Sequence, residues 1–149
     1  KEKFENALLF SDPKLEDIEM HSRNSSIIHF VTHHKDGIVN FKNSSISFND
    51  IIEKINDKTF LVIMNVCSSS KIKDFERYPT LQNSLAHKLS EIGVKYIITH
   101  NWELEQKASY IFSNQLYDRI REGKKRMMPK KLHKITPAKY GGYMIWGID

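Results

Sequence analysis

The sequence predicts an α/β sandwich on a mostly parallel sheet, and three observations carry that prediction. Apolar, largely β-branched runs recur at residues 27–32, 60–66 and 94–99 without strict in–out alternation, as strands covered on both faces require. Helical stripes lie between and after them, at Ile51, Ile52 and Ile55, at Leu81, Leu85, Leu89 and Ile92, and at Leu104, Ala108, Ile111, Phe112, Leu116 and Ile120. Each apolar run also stops at or near a residue able to do chemistry: His33, Cys67 and His100. In open α/β sheets that carboxyl edge is where sites form.

The elements follow in order. Residues 7–10 are a short apolar run stopped by Ser-Asp-Pro and read as a strand. Residues 13–22 read as a short helix, with Asp12 as N-cap and Pro13 at the first position, where a missing N–H costs nothing. The first buried strand, 27–32, leads through "THHKDG" into a hairpin: Ile38 to Phe41, a Lys-Asn-Ser-Ser turn, then Ile46 to Phe48. Asn49 can cap the helix that carries the Ile51, Ile52 and Ile55 stripe. Strand 60–66 follows, then a helix ending at Gly93, strand 94–99, a long helix stopped by Gly123, and a last apolar strand in "GGYMIWGI".

Composition bounds the function. A chain of 149 residues fits one domain, 1–149, with one sizeable core. Because no Met opens it, the expectation is a piece of a longer protein. With 40% hydrophobic and 28% charged residues, the composition is that of an ordinary globular chain, and wholesale disorder is not expected. The single Cys cannot form an internal disulfide, which points to a reducing, cytoplasmic compartment. No apolar stretch approaches the roughly 20 residues of a bilayer span, and Lys-Glu-Lys is no signal peptide.

The net charge of +5 is local. Residues 124–134, "KKRMMPKKLHK", hold six Lys/Arg and no acid, which leaves the rest of the chain at −1. Such a run reads as a solvated basic loop. Lacking interleaved aromatics, it is no stacking platform for a single strand, so no nucleic-acid role is expected of the domain.

A thiol needs a base beside it to act as a thiolate near neutral pH, and imidazole is the usual supplier. Residues just past two adjacent strands, about 4.8 Å apart, can meet, so His33 with Cys67 forms a candidate dyad. Ser68-Ser69-Ser70 would give it an open, polar elbow, and the backbone N–H groups of Cys67 and His34 could hold an oxyanion. Other readings stand beside this one. Cys67 can be a small buried hydrophobe and His33 a hydrogen-bonded structural residue. A metal could draw on His29, His33, His34, His100 and Cys67, although the spacing matches no zinc pattern. A serine nucleophile in "CSSS" lacks the flanking glycines of a hydrolase elbow.

"IIHFVTHH" followed by "FLVIMNVCSSS" resembles the caspase-like cysteine peptidases, and within them the CHAT family, found with tetratricopeptide repeats in bacteria. The stretch 85–123 is similar to that family at Gly93, Trp102, Glu105, Tyr117, Ile120 and Gly123, and "KYGGYMIWGID" resembles its closing strand. The likeness runs from residue 27 to the end. It implies a three-layer caspase-like sandwich with a small hairpin after the catalytic His strand. It further implies a cofactor-independent, metal-free cysteine endopeptidase that hydrolyses peptide bonds in protein substrates. His33 would be the base, Cys67 the nucleophile of a thioester intermediate, His29 a structural residue, and a partner domain, such as one of tetratricopeptide repeats, the regulator. Three departures stand out: His34 where the family has Gly, Ser68-Ser69-Ser70 in place of an acid-Thr-Gly elbow, and the compressed basic segment. In this fold the residue before the scissile bond is read by a pocket beside the Cys. Glu103 and Glu105, near Trp102, would favour Lys or Arg there; equally, the two carboxylates suit a first helical turn and Trp102 the core.

Overall fold

A computed structural model of the chain describes residues 4–35, 37–68, 86–100, 106–122 and 143–147. The described elements are helix α1 (Leu15–Ser22), strands β1 (Ile27–Lys35), β2 (Ile38–Asn40) and β3 (Ser45–Ser47), helix α2 (Phe48–Lys54), and strand β4 (Leu61–Ser68). A helical stretch at 86–91 (α3), strand β5 (Tyr96–His100), helix α4 (Gln106–Arg121) and strand β6 (Tyr143–Gly147) complete them. The strands form one sheet in the order β3-β2-β1-β4-β5-β6.

The sheet is mixed rather than mostly parallel. β1, β4 and β5 are parallel, whereas β2 and β3 pair antiparallel on one side and β6 antiparallel to β5 on the other. Connection length explains the first edge: only a long crossover returns a strand parallel, and β2 follows β1 through a short turn in which Gly37 takes φ +80°.

Helices cover both faces, which makes three layers. On one face Phe30, Val39, Val62, Met64 and Ile97 pack with Ile51, Ile52 and Leu89 and with Leu15 and Ile18, so α1, α2 and α3 share that side. On the other, Leu61, Ile63 and Ile98 pack against Phe112 and Leu116 of α4, flanked by Ile27 and Tyr117. The predicted stripes thus do bury: Ile51, Leu89 and Leu116 are fully enclosed. Alternation along β1 sends Ile28 and Phe30 to the first core and Ile27 to the second.

Several expected boundaries shift. Residues 7–10 form no strand, and Leu8 and Leu9 stay exposed; the apolar run alone supplied no partner. α1 starts at Leu15 with Lys14 as N-cap, and the Asp17 carboxylate accepts the Lys14 N–H at 2.9 Å. Asp12 instead clamps the β2–β3 turn, accepting from the Asn43 N–H, Asn43 Nδ2 and Ser44 Oγ. The Asn43 N–H and these side chains hold its carboxyl below the usual range. Ser47 rather than Asn49 precedes α2, and Phe48 enters the helix as a buried residue. β1 outruns its apolar stretch by three residues, to Lys35, because His33, His34 and Lys35 find ladder partners on β2.

Gly93 caps α3 as its position predicts. It takes φ +92°, its N–H reaches Ser90 O at 3.0 Å, and the Val94 N–H reaches Leu89 O at 3.1 Å, a left-handed C-terminal cap. A Cβ there would also lie 3.1 Å from that of Asp57. Leu81, Leu85, Leu104, Trp102, Glu103, Glu105, Gly123 and the basic run 124–134 lie outside the described residues.

Candidate active site

The register decides whether residues 33 and 67 are neighbours along the sheet edge. β1 and β4 pair in parallel from Ile27 with Leu61 to His34 with Ser68, so His33 and Cys67 are register partners at the carboxyl ends of two adjacent interior strands. Partners in a parallel pair lie about 4.8 Å apart and occupy the same face of the sheet. That face is the α4 side, because Ile27, Leu61 and Ile63, an even number of residues before this pair, pack against α4. His33 is exposed. On its other flank β2 supplies Asn40 as the antiparallel partner of His33.

Further down the same face lies a second, enclosed imidazole. His29 Nε2 accepts from Asn65 Nδ2 at 2.9 Å, and the same amide donates to Ser113 Oγ of α4 at 3.1 Å. With Nε2 accepting, Nδ1 carries the proton and donates to Tyr117 Oη. Burial pushes the His29 pKa down to about 4 and that of Tyr117 up to about 12, since a low-dielectric setting disfavours the charged form of each. Around neutral pH His29 is therefore an uncharged link that joins β1, β4 and α4. Both of its nitrogens are engaged inside the fold, so it acts there as a structural link. Asn65 and Ser113 were not singled out from the sequence; the available signal was a lone amide inside an otherwise apolar strand, which must find buried partners.

His100 ends β5 two residues past the Ile63–Ile98 pair, which brings its backbone level with Asn65 and short of Cys67. The strand ends therefore bring His33 and Cys67 together and leave His100 behind. Position 34 lies within the ladder, paired with Val39 on one side and Ser68 on the other. Among the described residues, no three His, Cys, Asp or Glu side chains gather as a metal site would need, and no helix is long and apolar enough to cross a membrane.

Fold and site together define an α/β protein with a mixed sheet and a His/Cys register pair at the carboxyl edge of its interior strands. Comparison with models of known families gives no match, and comparison with curated proteins gives none either.

Proposed function

We propose that this chain is a caspase-like cysteine endopeptidase domain of the CHAT type, acting on protein substrates in the cytoplasm under the control of a partner domain. One observation carries the reading: a parallel register sets His33 beside Cys67 at the edge where α/β sheets build sites. The three-layer arrangement and the antiparallel hairpin directly after the His strand are compatible with it.

The chemistry follows from the pair. His33 takes the Cys67 thiol proton, and the thiolate attacks the scissile carbonyl carbon. The backbone N–H groups of Cys67 and His34 stabilise the resulting oxyanion. Collapse breaks the C–N bond, His33 returns the proton to the leaving amine, and a thioester remains. Water, deprotonated by His33, then hydrolyses the thioester and restores the thiol. Neither metal nor cofactor enters these steps. Trp102, Glu103 and Glu105 would shape the pocket for the residue before the cut, with Lys or Arg favoured by the carboxylates.

A proteome-derived peptide pool incubated with the domain and with Cys67→Ala tests the reading, new termini being read by mass spectrometry. Cleavages after Lys or Arg that vanish in the variant are expected; identical, uncut pools from two well-folded samples would count against a peptidase. One specific observation favours a second reading, an inactive caspase-like scaffold for protein interaction: His34 stands where the family carries Gly. Cleavage gained only in His34→Gly would assign the native chain to that scaffold class.

A further inference from the structure

We infer that Asn40 is a positioning residue for His33, the third member of a row that β2, β1 and β4 lay side by side as Asn40, His33 and Cys67. The inference rests on the His33–Cys67 reading and deepens it. Two independent registers build the row. The antiparallel β1–β2 ladder pairs His33 with Asn40, and the parallel β1–β4 ladder pairs the same His33 with Cys67.

Cross-strand partners occupy one face with Cβ atoms about 4.5–5.5 Å apart, within reach of an amide and an imidazole. Imidazole has nitrogens on opposite sides of its ring, and a base that takes a proton with one must hold the other steady, or its tautomer and tilt are not defined. The row offers a residue for each nitrogen: Cys67 on one flank, Asn40 on the other. Cys-His-Asn is also a recurring form of the nucleophile, base and orienting group on unrelated folds.

The amide is itself held. Ser45 Oγ of β3 donates to Asn40 Oδ1 at 2.9 Å and Asn40 Nδ2 donates to Ile38 O at 3.4 Å, so the amide is held at both ends while the second lone pair of Oδ1 is left for the imidazole N–H. The backbone is anchored too, because Thr32 Oγ1 donates to Asn40 O at 2.6 Å. The hairpin after the His strand thereby gains a purpose beyond widening the sheet. Asn40 carries no charge, and the titratable group on the opposite flank of His33 is Cys67.

The test reads Cys67 directly, with no substrate: the rate of iodoacetamide alkylation against pH for wild type, His33→Ala, Asn40→Ala, Asn40→Asp and Ser45→Ala. Wild type should show a reactive limb below the ordinary thiol range of about 8.5, and His33→Ala should lose it. Asn40→Ala should slow alkylation near neutral pH about threefold to tenfold, as a rise of up to about one unit in thiol pKa would. Asn40→Asp, whose carboxylate stabilises imidazolium, should recover the rate and extend the thiolate–imidazolium form to higher pH. Ser45→Ala should fall between wild type and Asn40→Ala. A purely structural Asn40 would make Asp no better than Ala, and that result, or curves overlaying wild type in both, would overturn the inference while leaving the dyad standing. A wild-type limb near 8.5 that His33→Ala leaves unmoved would overturn the dyad and the row with it.

Discussion

His29 and His33 sit four residues apart on one strand and on one face of it, yet the molecule makes them opposites. His29 lies under α4, hydrogen-bonded on both nitrogens and held neutral by burial. His33, further along the strand, is exposed and meets solvent. The same division runs through their neighbours. Ile63 and Asn65, on the covered half, are buried, while Val31 is 69% exposed and Ile38 40% exposed. A strand is thus one element by its hydrogen bonds and two by its surroundings, and the state of an imidazole on it depends on whether other side chains enclose it.

The sharpest way to break this comparison is to remove side chains from each half. Leu116→Ala, which empties a fully buried position of α4 against β4, should cost about 2–5 kcal/mol in chemical denaturation. Val31→Ala, on the open half, should change stability by less than about 0.5 kcal/mol. Equal losses at the two positions would show that the open half is covered as well.

Protonation probes the covered imidazole next. The folded pKa of His29 lies near 4 against 6.5 for the free side chain, so between these values the unfolded chain binds a proton that the folded chain refuses. Stability contributed by neutral His29 is fully present above pH 6.5 and is lost as pH falls towards 4, by on the order of 3 kcal/mol. Urea midpoints measured from pH 7 to pH 4 should fall accordingly, and His29→Gln should flatten that slope. An unchanged slope would place the acid sensitivity elsewhere.

A smaller effect is expected from Tyr117→Phe, which keeps the ring beside His29 and removes the hydroxyl that His29 Nδ1–H donates to. Its cost should be about 1–3 kcal/mol, the penalty for a buried donor left without its acceptor. The smallest belongs to His33→Ala, within about 0.5 kcal/mol in thermal unfolding, as for an exposed residue outside the core. If His33→Ala instead destabilised as much as Tyr117→Phe, the contrast between the two imidazoles would collapse, and with it the case for His33 as a free base.

Much of the fold was legible because burial writes itself into spacing. The stripes of α2, α3 and α4 put Ile51, Leu89 and Leu116 in the core, and Gly93 marked its cap by the one conformation a side chain resists. The short run at residues 7–10 misled because β-branched or apolar character makes a strand only when a neighbouring strand takes up its N–H and C=O groups. Asp12 misled for a related reason: a carboxylate next to Pro suits an N-cap, but the β2–β3 turn offers three donors to it. The hairpin edge was legible in its turn residues, but the antiparallel direction of β6 was not, since direction within a sheet depends on the path of the chain and not on the composition of the strand.

For the site, the residue types and their place at strand ends are properties of the sequence: an imidazole after one apolar run and the only thiol after another. That these two share a register row, that Asn40 completes it, and that His100 stops short were decided by the tertiary pairing of strands. So was the neutral state of His29, which needs α4 to lie across β1 and bring Tyr117 to it. The physical reason is common to all four. Spacing along the chain fixes which face a side chain takes, but proximity between strands and the dielectric around a group arise only when separate segments pack.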